Sequence, residues 1–268
     1  LERNFSHWRN LIIDMDGVLW HGETALSGLV ECFEAIRSSG RRFVLTTNNS
    51  NHTVSQYVGK LSRMGVEVSR KEILTSALAT AGYLSKQAAA GTRVYAIGGD
   101  GVHHALKEQG FSIAESNVDY VVVGMDREIS WQKLETATQN IRSGAVFVGT
   151  NPDVTFPSEH GIGIGNGAIL AALQAATDVS PLIVGKPQPM LYQLAMARMK
   201  GDLDNTLAIG DRLDTDILGA QQAGISSLLV LSGVTSKEIL ASSDIRPTYV
   251  LPGMPELNSK LLTQPVRV

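Results

Sequence analysis

Short apolar runs rich in Val, Ile and Leu recur along the chain, and most are followed by a stretch whose apolar residues fall at helical spacing. Runs at 11–13, 42–45, 94–97, 120–123, 146–148, 206–209, 227–231 and 249–251 predict strands. Stretches at 26–39, 54–64, 72–90, 103–109, 131–142, 168–176, 190–199 and 217–223 predict helices, several of them closed by a glycine such as Gly40, Gly65 or Gly224. Strand–helix alternation favours an α/β fold, a doubly wound parallel sheet with helices on both faces. In such sheets ligands gather at the carboxyl ends of the strands. The polar residues that close each apolar run are therefore where chemistry is to be sought.

The alternation falls into two series. One covers residues 1–75 and resumes over 181–268, forming a discontinuous core. The other, 76–180, reads as an inserted α/β module of about 100 residues, a normal domain size. It is not a repeat of the core, because the aspartate pair and Thr-Asn-Asn run described below do not recur in it. A net charge of −3 with no block of like charge argues against nucleic-acid or membrane-surface binding. The lone Cys32, spaced helically with Val30, Phe33 and Ile36, excludes an intrachain disulfide framework and reads as a buried apolar residue. It fits a cytoplasmic location. Residues 1–8 lack the apolar core of a signal peptide, no run reaches transmembrane length, and Leu1 in place of Met points to residues missing upstream.

Four polar stations stand at strand ends or helix starts. The first is Asp14-Met15-Asp16-Gly17. Two carboxylates one residue apart, where a strand opens into a loop, make a negative point suited to a divalent cation, most simply Mg²⁺. Alone, the motif is as readily a solvated turn. The others are Thr47-Asn48-Asn49, Lys186, and Asp211 with Asp214 and Asp216. Each has an ordinary reading, as a helix cap, a surface lysine before Pro187, and acids favoured by a helix dipole. Together they can do more. Asp14, Asp16 and Asp211 can hold Mg²⁺, the ion and Lys186 can neutralise a phosphate dianion, and Thr47 Oγ1 with the following N–H groups can bind its oxygens. One carboxylate can attack phosphorus, and a second, two residues on, can protonate the leaving group and then activate water.

These four motifs, in this order, resemble those of the haloacid dehalogenase-like superfamily, and more closely its branch of nitrophenyl phosphate and phosphoglycolate phosphatases. The resemblance spans residues 10 to about 255 and implies a Rossmann-like core with a large α/β cap inserted between the second and third motifs. It implies Asp14 as nucleophile, Asp16 as general acid/base, Thr47 as phosphate-binding hydroxyl with Asn48 and Asn49 beside it, and Lys186 as charge-neutralising lysine. Mg²⁺ would be held by Asp14, the Asp16 backbone carbonyl and Asp211, with Asp216 supporting the metal shell. Asp214 is left a structural or supporting role. The implied activity is Mg²⁺-dependent hydrolysis of small phosphomonoesters through an aspartyl phosphate, and the family allows a homodimer through the cap. A phosphotransferase or mutase acting on sugar phosphates is the nearest alternative. A phospho-accepting regulator without turnover is less consistent, since it has no need of Asp16.

The inserted module should set the substrate. A loop of about 16 residues at 150–165 is long enough to suggest function, with Asp153 and Phe156 as the residues expected to reach substrate. Mammalian-type members of the branch carry a substrate-contacting histidine at a position resembling Phe156, which this chain lacks. Gly163-Ile164-Gly165-Asn166-Gly167-Ala168 mimics a dinucleotide fingerprint but is expected to follow no clear strand, and no acidic residue closes a strand about 20 residues on. His7, His21, His52, His103, His104 and His160 show no metal-ligand spacing. Trp20 either lines the site entrance or covers the sheet edge.

Overall fold

A computed structural model of the protein describes residues 4–158 and 161–266. The chain divides into two compact units, one of Leu1–Thr47, Val58–Leu74 and Pro187–Val268, the other of Asn48–Tyr57 and Thr75–Lys186.

The first unit is built on a six-stranded sheet in the order Tyr249–Leu251, Ser226–Val230, Thr206–Gly210, Asn10–Asp14, Arg42–Thr47 and Ile73–Thr75. The four pairings from Tyr249–Leu251 to Arg42–Thr47 are parallel. Asn10–Asp14 is buried along its whole length, as a central parallel strand with both faces covered must be. Helix Leu29–Ser38 packs against helix Met254–Thr263, and Phe33 meets Phe43 edge-on with ring centroids 5.1 Å apart. The buried Arg41 ties the ends of this unit together: its guanidinium donates to the carbonyls of Trp8 at 2.9 Å, Phe5 at 2.9 Å, Leu261 at 3.2 Å and Gln264 at 2.6 Å. Cys32 is buried as expected, and burial pushes its thiol pKa up to about 12.

The second unit holds a five-stranded parallel sheet in the order Leu182–Ile183, Val146–Gly149, Tyr120–Val123, Arg93–Ile97 and Ser112–Ile113. Helices Trp131–Arg142 and Asn166–Thr177 cover it through Ala137, Ile141, Leu170 and Leu173, which pack on Ile97, Val121, Val123 and Phe147.

Two expectations are corrected. Residues 72–90 are not one helix: Ile73–Thr75 is a buried strand, and the helix is Ser76–Leu84, capped where Thr75 Oγ1 accepts from Leu78 N at 3.2 Å. The β-branched Ile73 and Thr75 favour the sheet, and the N-cap sets the boundary. Residues 150–165 are not without structure either: Thr155–Ser158 and Gly161–Ile164 form an antiparallel hairpin. Among the described residues, no helix is long and apolar enough to cross a membrane.

Candidate functional site

Strand order explains why residues far apart in sequence meet. Asn10–Asp14 lies between Thr206–Gly210 and Arg42–Thr47, all three running the same way, with Ile13 level with both Ile209 and Leu45. Their carboxyl ends therefore present Asp14, Asp211 and Thr47 side by side. The chain leaves Asn10–Asp14 to one side of the sheet and later returns on the other, the kind of switch point at which open α/β sheets bind ligands.

After Asp14 the backbone makes a single turn. Val18 N and Leu19 N both donate to Met15 O, at 3.3 and 2.8 Å, and Gly17 N donates to Trp20 O at 2.9 Å. Asp14 is buried, whereas Asp16 is exposed. Trp20 Nε1 donates to Asp16 Oδ1 at 2.9 Å, and Thr47 Oγ1 donates to Asp16 Oδ2 at 3.4 Å. Trp20 is thus fully buried, with the polar edge of its indole on Asp16.

Asp211 follows the strand Thr206–Gly210 and sits between two glycines. A Cβ on Gly17 would lie 2.3 Å from Asp211 Oδ2, and one on Gly233 would lie 2.0 Å from it. Gly17 has φ +81°, a left-handed conformation that also favours glycine. Val234 N donates to Asp211 Oδ2 at 2.7 Å, and Thr235 N to Asp211 O at 3.2 Å. Leu213–Ile217 winds as a π-helical turn, which carries the buried Asp216 back so that its Oδ2 accepts from Arg212 N at 3.1 Å. Tyr192 Oη donates to Asp216 O at 2.9 Å. Asp214 points away: its exposed carboxylate pairs with Arg212 at 2.9 Å.

Asp14, Asp211 and Asp216 each offer a carboxylate oxygen, all within 4.8 Å of one another and all buried. Among the described residues this is the one group of three His, Cys, Asp or Glu side chains so arranged. Two such charges within that distance repel by at least about 3.5 kcal/mol per pair at an effective dielectric near 20, so the cluster favours a compensating cation. An all-oxygen donor set suits a hard divalent ion such as Mg²⁺ or Ca²⁺. The Asp16 side chain is not in this group.

The remaining residues belong to the second unit. Lys186 is buried, and its backbone is clasped by the Asn48 carboxamide. Lys186 N donates to Asn48 Oδ1 at 2.9 Å, while Asn48 Nδ2 donates to Lys186 O at 3.0 Å and to Asp153 Oδ2 at 3.1 Å. Asn48 O accepts from Ser76 Oγ and Asn151 Nδ2, each at 2.7 Å. Asn49 Oδ1 accepts from Asn51 N at 3.0 Å, a local turn. Phe156 pairs with Gly163 across the hairpin, its ring where a Cβ on Gly163 would lie. The Gly163–Ala168 run begins inside the strand Gly161–Ile164, its first two residues belonging to that strand. Among the described residues that strand pairs only with Thr155–Ser158, antiparallel, an arrangement unlike the parallel strand of a βαβ unit. Gly165 and Gly167 instead allow close approach to the carbonyls of Asp153 and Pro152. His160 lies outside the described residues.

Neither Gly233 nor the Asn48 clasp was anticipated. The only sequence sign of Gly233 is its place just past a predicted strand.

A family model described as haloacid dehalogenase-like hydrolase matches residues 11–112, and a HAD-hydrolase-like model matches residues 183–257. The acid sugar phosphatase of Staphylococcus aureus (strain USA300) is 36% identical over 255 residues, which cover 95% of this chain and 98% of the relative. Among solved structures, 4-nitrophenylphosphatase from Thermotoga maritima matches with a TM-score of 0.92 at 32% identity, covering 95% of this chain and 98% of that one. Glycerol phosphate phosphatase from Mycobacterium tuberculosis in complex with magnesium matches with a TM-score of 0.88 at 33% identity, covering 96% of this chain and 78% of that one. Asp14 and Thr47 lie within the first matched range and Lys186 and Asp211 within the second, and the chain belongs to the haloacid dehalogenase-like hydrolases.

Proposed function

We propose that the protein is a Mg²⁺-dependent phosphomonoesterase that hydrolyses small phosphorylated substrates through an aspartyl-phosphate intermediate. The observation that carries this reading is the division of labour among the aspartates: Asp14 lies in a buried three-carboxylate cluster, and Asp16, two residues on, stays exposed and outside it. The sugar, aryl and glycerol phosphatases among its relatives support the substrate class.

Asp14, the Asp16 backbone carbonyl and Asp211 would hold the ion, with Asp216 bracing the shell. When bound, Mg²⁺ neutralises charge on the phosphoryl oxygens and on Asp14. The carboxylate of Asp14 then attacks phosphorus in line. As the ester P–O bond breaks, the leaving oxygen takes a proton from Asp16, a contribution of about 10²–10⁴ in rate for a poor leaving group. Asp16, now a carboxylate, takes a proton from water as that water attacks phosphorus, and Asp14 is released with phosphate. Thr47 Oγ1, the N–H groups after it and Lys186 have the family's phosphate-binding role. Residues 76–180 act as the cap, and Asp153 and Phe156 contribute to substrate choice.

A panel of phosphomonoesters assayed with and without EDTA, on wild type, Asp14→Asn and Asp16→Asn, tests the reading. Activity should vanish with EDTA, return with Mg²⁺, and be abolished in Asp14→Asn. Metal-independent turnover, or full activity in Asp14→Asn, would overturn it; dependence on an added sugar acceptor would point to a transferase.

A further inference from the structure

An aspartate on an exposed turn ordinarily samples several rotamers. Asp16 is held instead. Its Oδ1 accepts from Trp20 Nε1 at 2.9 Å and its Oδ2 from Thr47 Oγ1 at the longer distance of 3.4 Å. The indole is itself fixed. It is fully buried, its backbone opens a two-residue strand paired with Thr24–Ala25, and its carbonyl accepts from Gly17 N at 2.9 Å. The Lys60 ammonium stands over the ring, 4.5 Å from its centroid, and is anchored by Gly22 O at 2.6 Å and Glu23 Oε1 at 3.1 Å.

We infer that Trp20 is a positioning residue for proton transfer: its N–H binds Asp16 Oδ1 and leaves Oδ2 as the oxygen that carries the exchanged proton. This rests on the reading of Asp16 as general acid/base. Indole Nε1 can only donate. A donor facing Oδ1 stabilises electron density there, so Oδ1 is the carbonyl-like oxygen of the acid and the anchored oxygen of the carboxylate. Thr47 Oγ1 both donates and accepts, and so tolerates Oδ2 with or without its proton. Lys60 over the π face draws density from the ring and strengthens the N–H as a donor. The bookkeeping of the step is unchanged. The P–O pair passes to the leaving oxygen, which receives the proton from Oδ2; later Oδ2 takes the proton of the attacking water as the bond between phosphorus and Asp14 breaks.

The test is Trp20→Phe, which fills much of the same space without the N–H, assayed by kcat/KM on a series of alkyl and aryl phosphomonoesters. This parameter isolates the half-reaction in which Asp16 gives up its proton. A good leaving group such as 4-nitrophenolate scarcely needs that proton, whereas an alkoxide does. Trp20→Phe should lose about tenfold or more on alkyl phosphates and less than about threefold on 4-nitrophenyl phosphate. Asp16→Asn should show the same dependence with larger losses. An equal loss on all substrates in Trp20→Phe, or none, would overturn the role of Trp20 while leaving that of Asp16 intact. An equal loss in Asp16→Asn would overturn the reading of Asp16 on which it rests. Should Trp20→Phe fail to fold, NMR of the indole protons of wild type and Asp16→Ala decides. The Trp20 indole proton should move upfield and exchange faster in Asp16→Ala; an unchanged shift and exchange rate would overturn the proposal.

Discussion

Gly233→Ala should damage the metal site without a backbone cause. Gly233 has no left-handed φ, so alanine meets no conformational penalty there. What it meets is Asp211: the added Cβ would stand 2.0 Å from Oδ2, 2.5 Å from Cγ and 2.6 Å from Cβ. Ordinary contact begins near 3.4 Å, so the carboxylate must retreat by roughly 1.4 Å or the loop must open. A Mg–O bond is only about 2.0–2.1 Å long and tolerates little departure from octahedral geometry. Either movement also strains the 2.7 Å bond from Val234 N that aims Oδ2. Losing an aimed ligand or its orienting partner costs about 10–100-fold in metal affinity, or about 1.4–2.7 kcal/mol. Initial rates against buffered Mg²⁺ should therefore show the half-saturating concentration raised at least about tenfold, with kcat largely recovered at saturation. A wild-type Mg²⁺ curve accompanied only by a lower Tm would refute the reasoning, because it would mean that Gly233 serves packing and not the carboxylate.

Arg41→Met removes four hydrogen bonds to backbone carbonyls and should cost about 2–4 kcal/mol, read as a lower midpoint in urea; an unchanged midpoint would show the clasp to be idle. The Cys32 thiol, with its folded pKa pushed up to about 12, stays protonated in the native state at pH 9–11 while the unfolded chain ionises. Its contribution is thus present below the unfolded pKa near 8.5 and lost as pH rises toward the folded value. Cys32→Ala should flatten that alkaline decline in stability, and native Cys32 should react with thiol reagents only at the rate of opening. Asn48→Ala should weaken inhibition by vanadate through loss of the two-point hold on Lys186. Asn48→Asp should weaken it further, since it places a carboxylate against Asp153, where Nδ2 now stands 3.1 Å from Oδ2; equal inhibition constants in all three proteins would refute this.

Strand ends were legible because apolar runs and the polar residues that close them are local signals. Asp14, Thr47 and Asp211 fall at the carboxyl ends of strands on the sequence pattern alone, and the parallel register makes them neighbours. Side-chain direction was not legible. Nothing in the spacing of Asp211, Asp214 and Asp216 tells that a π-helical turn brings Asp216 back to Asp14 and Asp211 while Asp214 turns out to Arg212. The hairpin Thr155–Ser158 and Gly161–Ile164 was hidden because Pro157, Gly161 and Gly163 depress strand propensity, though each is tolerated in a short ribbon outside the main sheet. The alanine-rich helix swallowed Ile73–Thr75 for the opposite reason: three apolar or β-branched residues fit either period. Gly233, Trp20 and Asn48 act through partners distant in sequence or through ring orientation, which no one-dimensional pattern carries.

Arg41 also dates the assembly of the molecule. Its carbonyl partner Leu261 lies 220 residues further along, and Asp14 waits for a strand that begins at Thr206. At ribosomal speeds of about 5–20 residues per second, some 10–40 seconds separate synthesis of Arg41 from that of Leu261. The sheet of the second unit, by contrast, has all its strands once Ile183 is made. The inserted unit is therefore free to order first on the nascent chain, while the carboxylate cluster, split between Asp14 and Asp211, closes only late. A chain interrupted midway would carry the inserted unit and only one side of the carboxylate cluster, Asp14 without Asp211 or Asp216.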